Sequence, residues 1–276
     1  MQNKLLLYGG TLGAGLASMG LHRYMMDNCF DEKGLLIAGN LPFWLLVAVG
    51  GAFAALLIGV LRTIGGDGTY GDAFPRDRLS GVLMIMGGVL LAFGASGLGA
   101  EQTELPGGAA TAVLGVWHQL SGAALGVLPW LAAASMVLMG LCRVWGKGCP
   151  VAAGGILCLF YMLMLVNNYR LWSADPQVQD YAYQLLAQVL LMLCAFHRTS
   201  CDAGIIQRRK LLATGLGAAA CAMAALSMDF QRIFFLASAL WALGCICTVQ
   251  LLPPDPEPQE ESQEEPQEEA RSETEE

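Results

Sequence analysis

The sequence predicts an all-α, polytopic helical membrane protein of about eight transmembrane helices, with both termini cytoplasmic. Three observations predict it. Only 14% of the 276 residues are charged and 55% are hydrophobic, whereas a soluble domain carries about 25% charged residues. Several apolar runs reach the roughly 20 residues that a helix needs to cross the hydrocarbon core. The basic residues alternate across those runs, as cytoplasmic retention of Lys and Arg requires.

The runs place spans at 4–22, 41–62, 80–100, 124–143, 151–172, 177–198, 210–228 and 231–252. The first, LLLYGGTLGAGLASMGL after MQNK, resembles a signal peptide, but no A-x-A follows it. It is expected to stay as an uncleaved span. Gly9, Gly13 and Ala17 recur in it every four residues, with Gly10, Ala14 and Ser18 beside them. The third span carries Gly81, Gly87, Gly88, Gly94 and Gly97, and the seventh reads TGLGAAACAMAA. Faces of small residues let helix backbones approach closely where lipid is as apolar as Leu. The apolar stretch 107–143 is too long for one span and too short for two with a turn. Gln119, Ser121 and Gly122 interrupt it, which predicts an interfacial or re-entrant helix at about 109–122 and then a span containing Pro129. His118, in the interrupted part, reads as a satisfied interfacial histidine.

With the N-terminus inside, eleven basic residues fall inside and four outside: Arg23, Lys33, Arg170 and Arg232. Eight spans keep this alternation and put the C-terminus inside as well. The net charge of −8 belongs to the end of the chain, because residues 255–276 hold 11 of the 23 acids and one of the 15 bases. The rest has 12 acids and 14 bases, or +2. Residues 1–252 are therefore expected to form the transmembrane bundle, and 253–276 a disordered acidic tail that cannot bury enough surface to fold. A basic protein is the partner such a tail suits, and nucleic acid is not expected. The nine Cys do not form a secreted disulfide framework, since only Cys29 falls in an outer segment and the others behave as small core residues.

One polar stretch stands between two apolar runs: residues 167–188, NNYRLWSADPQVQDYAYQLLAQ. Asp175 followed by Pro176 reads as a helix start, with Asp as cap and Pro at the first helical position. Gln177, Asp180, Gln184 and Gln188 then recur at steps of three, four and four, on one helix face. Gln188 would lie roughly 18 Å along the helix from Pro176, near mid-bilayer. An amide at that depth needs partners inside the bundle. On the preceding span Tyr161, Asn168 and Trp172 also share a face, with Asn167 and Arg170 at its outer end. The expected ligand-binding residues are thus Tyr161, Asn168, Arg170, Asp175, Asp180, Gln184 and Gln188, as a vestibule open to the outside. The competing expectation is a tight hairpin, with Trp172, Tyr169, Tyr181 and Tyr183 as interfacial anchors and the glutamines as inter-helix glue. Eight acids against four bases on the outer side favour cationic ligands.

The inner side offers a weaker constellation. Cys142, Cys149, His197 and Cys201 sit at inner span ends, and their types suit tetrahedral zinc, but no tight CxxC spacing is present. The inner loop IGGDGTYGDAFPRDR is similar to the GxGD motif of intramembrane aspartyl proteases and prepilin peptidases, yet neither Asp67 nor Asp72 has the required first Gly. Asp67, Asp72 and Asp77 offer carboxylates for a divalent cation, against the plainer expectation of a solvated turn. HExxH, GxSxG and a Walker A loop are absent, and no cofactor is expected. Every charged residue lies at or beyond a span end, which disfavours an ion-coupled pump, and no repeat relates the halves.

The segments DEKGLL (Asp31 to Leu36) and RLWSADPQVQDYAYQLLA (Arg170 to Ala187) resemble parts of uncharacterised multi-pass membrane proteins found in anaerobic Gram-positive bacteria. The likeness extends loosely over the spans and excludes the tail. It implies residence in a bacterial cytoplasmic membrane and brings no activity. The expected function is binding or permeation of a small solute from the outer face. The alternative is a non-catalytic scaffold or sensor acting through the tail, and the third an intramembrane enzyme.

Overall fold

Why these residues form this bundle is clearest in the helix Arg78–Ala100, where both faces are apolar. The computed structural model describes residues 2–30, 40–62, 77–100, 112–172, 178–228, 231–247 and 249. Among them lie eight helices: α1 Gln2–Asn28, α2 Leu41–Arg62, α3 Arg78–Ala100, α4 Ala112–Trp145, α5 Val151–Trp172, α6 Val178–Asp202, α7 Arg208–Ala225 and α8 Arg232–Cys247. On α3, Ser80, Met84, Gly87, Leu91 and Ala95 are buried, whereas Val82, Met86, Val89 and Phe93 face outward. Phe93 is 77% exposed. An exposed stripe as greasy as the buried one suits lipid rather than water. Four helices are long and apolar enough to cross a membrane: Leu41–Arg62, Arg78–Ser96, Gly126–Trp145 and Val151–Arg170. The acidic tail from 251 onward, the loops carrying Asp67 and Asp72, and the DEKGLL segment lie outside the described residues.

The C-terminal hairpin forms the centre. In α7, 13 of 18 residues are buried, and in α8, 10 of 16. Around this pair α6, α5, α4 and α3 follow one another in contact, α3 closes back onto α8, and α1 packs on α7. The most apolar helix, α2, packs chiefly on α1 and has no buried residue. Glycines set the tightest contacts. A Cβ at Gly87 would stand 2.7 Å from the Ala237 carbonyl oxygen on α8, and one at Gly88 2.8 Å from that of Ala133 on α4. On α1 the expected small-residue faces divide: a Cβ at Gly10 would meet Leu56 of α2 at 3.5 Å, and Ser18 is buried. Gly9 and Gly13 have open space, and Gly15 is the position pressed against Met223 and the Ala220 backbone of α7.

Helix ends also depart from the sequence expectation, for identifiable reasons. α1 continues to Asn28, where Arg23 pairs with Asp27 at 3.3 Å and Asn28 donates to the Tyr24 carbonyl. No helix breaker stands between Leu21 and Asn28. Residues 112–145 form one helix of 34 residues that passes through Gln119–Gly122 and Pro129 without a break, so no turn separates the segment expected at 109–122 from the span. Neighbouring helices make an internal proline tolerable in a bundle. Asp77 is an N-cap: its Oδ1 accepts from the Leu79 N–H at 2.9 Å. The far ends of α4 and α6 close alike. Gly146 (φ 70°) and Gly204 (φ 93°) turn left-handed, Lys147 N–H reaches the Cys142 carbonyl and Ile205 N–H the Ser200 carbonyl. These are Schellman caps, which need glycine at the left-handed position. At the end of α8, Tyr8 and Ser80 donate to the carbonyls of Ile246 and Gly244, carbonyls near the helix terminus that gain partners in α1 and α3.

Candidate functional site

The polar side chains of α5, α6 and α8 turn into the bundle at the end where α5 stops and α6 starts. Asn168 lies one turn from the end of α5 and is fully buried. Its Nδ2 donates to Gln231 Oε1 at 3.1 Å, and Gln231 Nε2 donates back to Asn168 Oδ1 at 3.4 Å. Gln231 holds a left-handed backbone, φ 54°, just before α8. A non-glycine residue in that region is strained and persists where its surroundings hold it; the reciprocal amide pair is such a hold. Seven residues deeper on both helices, the buried Tyr161 hydroxyl donates to Ser238 Oγ at 3.2 Å. The Tyr161 ring packs against Trp241 at 5.9 Å and Phe234 at 6.1 Å. Two polar rungs thus tie α5 to α8.

Gln184 and Gln188 occupy one face of α6, one turn apart, and both are fully buried. None of their four amide atoms, two Nε2 and two Oε1, has a hydrogen-bond partner among the described residues. The apolar grooves among the described residues include one of about 610 Å³ along α3 and α4, over Gly88, Phe93 and Trp130, and one of about 440 Å³ among α1, α2, α6 and α7, over Ser18, Gly51, Tyr183 and Cys221. Neither includes Gln184 or Gln188. The amides sit in packed interior beside Ala187 and Leu191.

The other expected residues divide. Arg170 is exposed at the end of α5. Asp175 lies outside the described residues, as do Pro176, Gln177 and the side chains of Asp180 and Trp172. One constellation was not anticipated. His22, 1% exposed near the end of α1, shares a hydrogen bond between Nδ1 and Ser227 Oγ at 2.6 Å, and its Nε2 has no partner. Tyr183 meets its ring edge-on at 5.2 Å, and Arg23 Nη1 donates to the Ser227 carbonyl at 3.0 Å. The sequence signal was faint: His22 and Ser227 stand at the outer ends of the spans 4–22 and 210–228.

The four residues considered for zinc do not converge. Among the described residues no group of three or more His, Cys, Asp or Glu stands where it could hold a metal ion. Cys149 Sγ donates to the Pro150 carbonyl at 3.8 Å, and Cys142 lies nearby. Burial, with the Asp202 carboxylate and Cys142 nearby, pushes the Cys149 thiol in the α4–α5 loop up to about 12. Cys201 lies by Arg198 and the Gln207 backbone, whereas His197 is half-buried against Phe196 and near Lys210. Asp67 and Asp72 lie outside the described residues, and Asp77 is the cap of α3.

The bundle offers neutral donors and acceptors in two places: the two amides of α6, and the paired Asn168–Gln231 and Tyr161–Ser238 between α5 and α8. Such groups can orient an uncharged polar molecule, and a site built of hydrogen-bonding groups rejects one that leaves them unpaired. Comparison with known protein families, curated proteins and solved structures finds no match for this chain.

Proposed function

We propose that the chain is an eight-span bundle of a bacterial cytoplasmic membrane, both termini inside, that takes a small polar solute from the outer side into the interior between α5, α6 and α8. The observation that carries this reading is the pair Gln184 and Gln188, four amide atoms fully buried with no partner. A buried amide without a hydrogen bond costs roughly 1–3 kcal/mol in proteins, so groups kept in that state call for a role. The count of eight spans draws on burial. α7 and α8 are enclosed by other helices, so they need not be as apolar as lipid-facing ones, and α8, about 24 Å long, is covered by its neighbours. The orientation draws on the basic residues, eleven inside and four outside. The amides favour a neutral solute over a cation, and the acids of the outer segments would serve to attract rather than to bind.

A panel of small polar solutes, read by thermal unfolding of the full-length protein in detergent, tests this. A binding solute is expected to raise Tm, and Gln184→Leu or Asp180→Ala to remove the shift while the variant still unfolds cooperatively. A solute whose shift survives both changes would place its site elsewhere. The scaffold reading rests on the tail, whose 11 acids among 22 residues suit a basic partner. Deleting residues 255–276 would then strip co-purifying proteins.

A further inference from the structure

At the opposite end of the bundle, where α4 and α6 stop and α7 starts, three arginines are buried: Arg143 is 4% exposed, Arg198 1% and Arg208 0%. Two are engaged. Arg198 grips Asp202 through Nε and Nη2, at 3.1 and 3.0 Å, and Arg143 has neighbours of its own. Arg208 stands apart: its Nε, Nη1 and Nη2 are all buried and none has a hydrogen-bond partner among the described residues. A guanidinium keeps its proton in a protein. With no exposed surface this one does not reach water along its stem, as long basic side chains near a membrane usually do. An enclosed charge with no acceptor is strongly unfavourable, so the position calls for an anion.

Its setting specifies the anion. Arg208 is the first residue of the 18-residue α7, and Gln207 before it supplies no side-chain cap. The opening N–H groups of the helix add their partial positive charge at the same place. Cys201, beside the Gln207 backbone, lies within electrostatic reach of Arg143, of Arg198 and of the Asp202 carboxylate that Arg198 holds. Arg209 and Lys210 follow, exposed. The planar fork of arginine fits the oxygens of phosphate two at a time. Basic sites between helices at the end of a lipid-facing bundle lie level with phospholipid headgroups. We propose that Arg208, at the uncapped start of α7, binds a phosphate group, carried by an anionic lipid headgroup or free in solution. The site is independent of the glutamine interior.

The test uses the full-length protein, delipidated in neutral detergent, with thermal unfolding as the readout. Two probes are titrated: inorganic phosphate against chloride at equal ionic strength, and phosphatidylglycerol against a neutral glycolipid. At least one is expected to raise Tm by several degrees. A shift with phosphatidylglycerol alone identifies a headgroup; a shift with inorganic phosphate as well identifies phosphate from either source, and both support the site. Arg208→Gln is expected to melt no lower than wild type without a probe and to lose at least tenfold in apparent affinity, whereas Arg209→Gln stays within twofold. Should Arg208→Gln fail to fold, Arg208→Lys, which keeps the charge and loses the fork, is expected to bind several-fold more weakly. No shift with either probe overturns the proposal, as does a phosphate response that Arg208→Gln, or Arg208→Lys in its place, leaves unchanged.

Discussion

Asn168 and Gln231 satisfy each other, whereas Gln184 and Gln188 satisfy no one. The first arrangement stabilises and the second asks for a partner. Asn168→Leu strands the buried Gln231 amide and is expected to destabilise by about 1–3 kcal/mol. Asn168→Leu with Gln231→Leu is expected to cost less than the sum of the singles, with a coupling of about 0.5–3 kcal/mol for residues in contact. Additive losses in a double-mutant cycle of thermal unfolding would show that the pair carries no such energy. Much of this was legible in the sequence. The descent of Gln184 and Gln188 along one face follows from four-residue spacing, and Asn168 and Tyr161 from seven. Their partners were not legible. Gln231 reaches Asn168 from a left-handed residue between α7 and α8, a geometry that no periodicity announces. The buried arginines were hidden for another reason: a charge at the end of an apolar run reads as loop, and only packing shows that Arg208 is enclosed.

Helix pairs are held by close backbone approach, and the glycines that permit it are a minority of those present. Gly87 faces the Ala237 carbonyl and the Trp241 N–H at 2.7 and 3.1 Å from a would-be Cβ, whereas Gly51 on α2 has nothing within 4 Å. Gly87→Ala is therefore expected to destabilise by about 1–3 kcal/mol through overpacking of α3 on α8. Gly51→Ala is expected to be neutral or to stabilise by about 0.5–1 kcal/mol through helix propensity. Equal melting temperatures for the two variants would remove the packing account. The richness of α3 in glycine was enough to expect tight packing, and there it occurs. On α1 the same reasoning pointed to Gly9 and Gly13, which have open space. Four-residue spacing identifies a smooth face without saying whether a neighbour covers it. The single helix through 112–145 was obscured in a similar way. Its polar interruption at Gln119–Gly122 looks like a boundary, but Gln and Ser leave a helix intact when no proline or left-handed residue stops it.

As a whole the molecule is organised around its last two helices, an order that the sequence hides because α7, the most enclosed, is among the least apolar. The loose attachment of α2 and the enclosure of α7 and α8 make a topological prediction. Single cysteines introduced into a Cys-free variant should label from opposite sides of the membrane at Asn28 and Lys147, with Lys147 accessible only from the cytoplasm. Labelling of both from one side would remove the eight-span arrangement and the outer entrance with it. The central claim is that Gln184 and Gln188 are kept unpaired for a solute rather than for the fold. Unfolding of the solute-free Gln184→Leu/Gln188→Leu variant tests it most directly. Removing two buried, unpartnered amides in favour of side chains of similar size should raise stability by about 1–3 kcal/mol, seen as a Tm several degrees above wild type. A variant that melts below wild type would mean that the amides already serve the fold, and would contradict the account.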